Sequence, residues 1–142
     1  MEQTQISKEK IMAYESTHYR VGFEQDAFIL RIGEFSAALM SRYENHAVSC
    51  AVFITGLNPC GQEQGNIANA AAQTRLRTAL MTLTNAIIEG EGADPTGAWP
   101  PEDSFLAFGI DKETAAELGR AFRQDAVVWA GRDAVPKLLL LR

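Results

Sequence analysis

Residues 48–55, VSCAVFIT, form an almost unbroken apolar run rich in β-branched side chains. No other feature limits the folds open to this chain as strongly. A strand with one face in water alternates polar and apolar residues, whereas a continuous run of this length reads as a strand covered on both faces. It therefore needs strands beside it and further elements above and below. GLNPCG follows at 56–61, where Gly and Pro break the strand. Residues 66–83 then carry the clearest helical period. Ala72, Leu76, Ala79, Leu80 and Leu83 fall within one stripe, with Arg75 flanking it and Arg77 well round the far side.

Capping and alternation signals divide the rest of the chain. Ser7 can cap a short helix over 8–15, and Ser36 opens another through Ala37, Leu39, Met40 and Tyr43. Residues 18–21 and 27–32 read as strands joined by a short polar turn. Residues 86–89, 105–110, 126–130 and 136–141 supply further strands, and Asp111 is a good N-cap for a helix carrying Ala115, Leu118 and Phe122 inward. This order predicts one α/β (α+β) domain over 1–142, a mixed sheet of about six or seven short strands with helices packed on it. Crossover helices imply some parallel pairs, and the end hairpins imply antiparallel ones. Residues 1–16 read as an N-terminal helix or arm, and 90–103 as a long acidic loop rich in Gly and Pro.

At 142 residues, 46% of them apolar, the chain can bury a core without a metal or a disulfide. Cys50, Cys60, His18 and His46 are scattered and show no zinc-ligand spacing. Cys50 alternates with Val48, Val52 and Ile54 and reads as a core residue. The polar start MEQTQISKEK has no apolar core of a signal peptide, and no window is apolar enough to span a membrane, so a cytoplasmic protein is expected. The net charge of −5 argues against a nonspecific grip on nucleic acid, which draws its affinity from Lys and Arg on phosphates. That charge is uneven. Glu89, Glu91, Asp94, Glu102 and Asp103 occur without an intervening base, and the remainder of the chain is neutral.

Five stretches resemble a known family: FILRIGEFSAAL, AVFITGLNP, NAAAQTRL, GEGADPTGAWPPEDSFLAFGID and QDAVVWAGRDAVPKLLL. Together and in order they are similar to the bacterial domain of unknown function 3293. The strand ending in an Asn-Pro turn before an Arg-bearing helix, and the G-x-W-P-P-E-x-S-F stretch, are the most specific parts. The resemblance implies a stand-alone bacterial domain and carries no activity with it. Cys60, just after the Asn-Pro turn, stands where that family carries other residues.

Three places could carry chemistry. The turn at 56–65 precedes a helix whose N-terminal amides suit phosphate or carboxylate, with Asn58 and Asn66 as hydrogen-bonding groups and Arg75 as a counter-charge. The same stretch also reads as an ordinary turn with a helix cap. The acidic stretch could hold Mg²⁺ or supply an acid–base pair, with Glu91 and Glu102 as the candidates, or it could be a solvated face. Trp99-Pro100-Pro101 is stiff and can hold Glu102 and Ser104 at the mouth of the next strand, or Trp99 can simply seal the core edge. Cys60 lies in the turn, where a nucleophilic role would need a lowered pKa, and no histidine is fixed near it by the sequence.

Two functions follow as expectations. The first is a domain binding a small anionic, nucleotide- or phosphate-like ligand, a hydrolase or transferase if it is an enzyme. The second is a regulatory or inhibitor module that docks a protein partner through its acidic loop. A homodimer through an exposed terminal strand is a further option.

Overall fold

A computed structural model describes residues 4–142, so the first three residues of the expected N-terminal arm lie outside the described part. Three of the helices begin where a capping side chain directs. Ser7 Oγ accepts from the Lys10 amide to start α1 (Lys8–Ser16), and Ser36 Oγ accepts from Leu39 to start α2 (Ala37–His46). Asp111 accepts from Thr114 to start α4 (Lys112–Ala121). The long helix α3 (Asn66–Met81) follows Gly65 and has no side-chain cap.

The strands are β1 (His18–Val21), β2 (Phe28–Leu30), β3 (Ala51–Ile54), β4 (Ile87–Ala93), β5 (Glu102–Phe108), β6 (Ala126–Ala130) and β7 (Pro136–Leu140). They form one sheet in the order β2-β1-β4-β5-β3-β6-β7. The α+β class and the seven strands agree with the element order in the sequence. The mixed character of the sheet does not, because every neighbouring pair is antiparallel. The helices do connect strands that run in the same direction: β3 with β4 across α3, and β5 with β6 across α4. In each case one strand is inserted between them, β5 in the first and β3 in the second. A helical crossover therefore fixes relative direction, not adjacency.

The acidic loop is also shorter than the sequence suggests. Residues 90–93 continue β4 and 102–103 begin β5, which leaves 94–101 as the connection. In Glu89-Gly90-Glu91-Gly92 the acids alternate with glycines, so the period of two was present but the glycines read as breakers.

β3 is buried on both faces, as its composition requires. On one face Val52 and Ile54 pack with Phe105, Ala107 and Val127 under α3 and α4. Gly119 allows α4 to lie close to the sheet, since a Cβ there would reach within 2.3 Å of Leu141 and 2.8 Å of Val127. On the other face Phe53, Tyr19, Leu30, Leu106 and Val128 pack around Leu39 and Tyr43 of α2. This second face is the inside of a curl. The Gly33 amide, just past the edge strand β2, donates to the Pro136 carbonyl on the opposite edge strand β7 at 2.8 Å. α2 fills part of that interior, and the rest is hollow. No helix among the described residues is long and apolar enough to cross a membrane.

Candidate functional site

The hollow opens at the end of the sheet where β3 and β4 finish and β1, β5 and β6 begin. Its volume is about 540 Å³. Gly92 on β4 makes the room. Gly90 and Gly92 face the interior, and the Phe53 ring lies over Gly90, its Cε2 3.3 Å from where a Cβ would be. Tyr19 is the register partner of Gly92, and its ring meets Phe53 edge to face at 5.2 Å between centroids. Aromatic rings covering strand glycines in this way are a recognised means of stabilising a bent sheet.

The rim is built from the turn after β3. Thr55 Oγ1 donates to the Asp103 carbonyl at 2.7 Å and accepts from the Leu57 amide at 3.1 Å. α3 then receives the turn through two side chains four residues apart. Gln73 Oε1 accepts from the Gly56 amide, and Asn69 Oδ1 from the Asn58 amide, both at 3.0 Å. Gly56 sits against the helix backbone, where a Cβ would come within 3.1 Å of the Ala72 carbonyl. Asn58 is left-handed (φ 48°), a conformation that Asn tolerates better than most residues. Its Oδ1 accepts from the Gln64 amide and from Asn69 Nδ2, each at 3.1 Å. Its Nδ2 donates to Glu102 Oε2 at 2.8 Å. Asn58 thus fastens the turn to α3 and fixes a carboxylate at the cavity mouth.

Across the mouth lies the Trp99-Pro100-Pro101 wall. It is preceded by a turn in which the Asp94 carboxylate takes the Thr96 hydroxyl and the Ala98 amide, both at 2.7 Å. Those bonds, the Thr96 hydroxyl foremost, hold the Asp94 carboxyl below its ordinary range. Ser104 is buried, its hydroxyl donating to the Glu102 carbonyl at 3.0 Å. Gln124, also buried, donates to the Leu57 carbonyl at 3.0 Å and so ties the start of β6 to the turn.

α1 forms the roof. Lys10 pairs with Asp125, and Arg142 Nη1 reaches the other oxygen of that carboxylate at 2.8 Å. Asp125 is almost wholly buried between these two cations. Tyr19 donates its hydroxyl to the Tyr14 carbonyl at 2.7 Å. Burial pushes the Tyr14 phenol well above its ordinary range, the Asp125 and Glu102 charges add to this, and Arg142 opposes it. Burial likewise raises Tyr19. Both phenols are therefore neutral at physiological pH.

Of the residues singled out from sequence, Asn58, Asn66, Trp99, Glu102 and Ser104 line this one cavity. Arg75 and Glu91 do not. Arg75 is exposed on α3, nine residues past Asn66 and so about 14 Å along the axis at the helical rise. Glu91 lies between Gly90 and Gly92 and so points through the opposite face of the sheet, where its register partners are Arg20 and Asp103. Glu89 and Asp103 share that opposite face with Glu91, Glu89 pairing with Arg77 at 3.1 Å. Among the described residues no three His, Cys, Asp or Glu side chains group to hold a metal ion.

Several residues of the site carry no sequence signal of their own. Asn69 and Gln73 could have been found from their i, i+4 spacing on a helix that follows a turn. Tyr14, Tyr19 and Asp125 could not, since nothing local brings 10, 14, 19, 125 and 142 together.

Residues 54–127 match the model of a family described as Protein of unknown function (DUF3293). The chain belongs to that family. The matched span of DUF3293 runs from the end of β3 to β6 and contains the Asn58 turn, α3, the Trp99 wall, Glu102, Ser104, Gln124 and Asp125. The roof helix and Arg142 fall outside it. No curated protein and no solved structure matches the chain.

Proposed function

We propose that this DUF3293 chain is a small-ligand binding domain and that the cavity under α1 is its site. The observation that carries the reading is the cavity itself, about 540 Å³, with an aromatic floor and a mouth of fixed polar groups. Ligand sites are commonly 300–1,000 Å³ or so, mostly apolar, with a few placed polar groups. Here the rim side chains are held by bonds to backbone and to one another, so little ordering remains to be done on binding.

Binding is favoured over acid–base chemistry. The expected pair Glu91 and Glu102 is divided by the sheet, and Asp125, a further acid at the cavity wall, is committed to Lys10 and Arg142. An anionic ligand has one observation in its favour, the uncapped first turn of α3, whose Asn66 lies at the rim. The acidic-loop partner reading has less, because Glu89, Glu91 and Asp103, though on one face of the β4–β5 hairpin, have bases beside them, Arg77 on Glu89 and Arg20 opposite Glu91.

A fragment screen by ¹H–¹⁵N NMR tests the proposal. Binders should shift the amides of Tyr19, Phe53, Gly92 and Gln124 and leave those of α4 in place. A broad screen whose hits all map outside the cavity, or which yields none, would remove it.

A further inference from the structure

We propose, building on the cavity reading, that the ligand is an aromatic amine: a planar apolar body on Tyr19 and Phe53 with a protonated amine at Glu102. The register of three strands gives the geometry. Gly92 is opposite Tyr19 on one side and opposite Glu102 on the other, so the three residues lie in one row across β1, β4 and β5. Side chains directly opposite in neighbouring strands share a face, and each strand step is about 4.8 Å. The phenol ring and the carboxylate are therefore rooted roughly 10 Å apart with no side chain between them. One position further along, Gly90 is opposite Ser104, and the Phe53 ring lies over it. The row makes a slot with an aromatic end, a bare floor and an acidic end.

Charge decides what enters that slot. Glu63, Glu102 and Asp125 line the cavity against one base, Lys10. The Lys10 ammonium and the nearby Arg142 guanidinium both bind Asp125, and the one positive charge left over in that cluster is outweighed by the two carboxylates of Glu63 and Glu102. Glu102 accepts one neutral hydrogen bond from Asn58 and has no basic partner among the described residues. An unpaired carboxylate in a partly desolvated mouth repels a phosphate and gains from a cation. The aromatic end adds to that preference, since ring faces attract cations and apolar planes alike.

Three probes of matched shape test this by NMR titration: tryptamine, indole-3-acetate and 3-ethylindole. Tryptamine should shift the Tyr19, Gly92 and Glu102 amides and bind at least about tenfold more tightly than indole-3-acetate, the range of one charge-assisted hydrogen bond. Glu102→Gln keeps an oxygen for Asn58 and should bring tryptamine down to the affinity of 3-ethylindole. Gly92→Ala should weaken tryptamine and 3-ethylindole together. The added methyl meets only Thr17 Cγ2 at 3.8 Å, so the fold has room for it and the slot does not. Equal or tighter binding of indole-3-acetate overturns the amine assignment and leaves the cavity standing, as does silence from all three probes where other fragments bind there. Silence from the probes and from the wider screen removes both.

Discussion

The two faces of the sheet are closed by different kinds of contact. On the outer face α3 sinks Ala72, Leu76 and Leu80 into the core, and α4 sinks Ala115 and Gly119. On the inner face, at the open end, α1 has no fully buried residue, and only Lys10, Ile11 and Tyr14 are half-buried. It is held by the Lys10–Asp125 ion pair and by the Tyr19 hydroxyl on the Tyr14 carbonyl. Apolar burial is non-directional and large, whereas a half-exposed polar latch exchanges readily with water. The outer helices are thus part of the global fold, and α1 belongs to the class of elements that open locally at low cost. On the proposed ligand-binding reading, a roof held this way would widen access to the hollow beside its mouth.

The largest effect that should separate the two sides is a truncation under α3. Leu76 is wholly buried, so Leu76→Ala should cost roughly 2–5 kcal/mol, from lost transfer energy and the cavity left behind. Urea denaturation measures it, and an unfolding midpoint close to wild type would show that the outer face is not the sealed one. A smaller effect is expected at the rim. Asn58→Ala removes the side-chain bonds to Glu102, Gln64 and Asn69 and places Ala at φ 48°. The expected cost is about 1–3 kcal/mol. Asn58→Gly relieves the backbone part alone, so the difference between the two variants isolates the cost of the left-handed backbone.

Smaller again is the latch. Lys10→Met leaves Asp125 with Arg142, and the Lys10 side chain is 36% exposed, so the loss in global stability should stay near about 1 kcal/mol. Hydrogen exchange should nonetheless quicken across 8–16 while α3 keeps its protection. Equal acceleration in both helices would mean that α1 unfolds with the whole domain and is no separate roof.

What the sequence disclosed and what it hid follow the same division. The doubly covered strand, the caps at Ser7, Ser36 and Asp111, and the stripe of α3 were legible because each depends on residues within a turn or two of one another. So were Asn58, Trp99, Glu102 and Ser104 as a group, since turn chemistry and stiff Pro-Pro geometry leave local marks. The inserted strands were not legible, because antiparallel pairing between β3 and β5 joins segments that lie fifty residues apart, with a crossover helix between them. Glu91 misled for a simpler reason: beside Gly90 and Gly92 it looked like a loop acid, and one residue of strand register sends it to the opposite face. The roof, assembled from residues near both chain ends, carries no local pattern at all.

The smallest effect is also the most discriminating between the two sides. Tyr14→Phe keeps the ring and should change stability at neutral pH by no more than about 0.5 kcal/mol. Alkaline titration then separates the faces. Burial favours the neutral phenol of Tyr14, Tyr19 and Tyr43, so each has a folded-state pKa above the ordinary 10.0. Between those two values the folded chain keeps a proton that the unfolded chain has lost. The contribution is therefore fully present below pH 10 and is lost as the pH rises beyond it. Tyr43 bonds to the Ala130 and Gly131 carbonyls inside the core and can ionise only when the domain unfolds. Tyr14 needs only α1 to lift. Phenolate absorbance of the wild type minus that of Tyr14→Phe should therefore rise at a lower pH than the main transition. A difference curve coincident with global unfolding would show that the roof is as firmly docked as the outer helices, and ligand entry would then require another route.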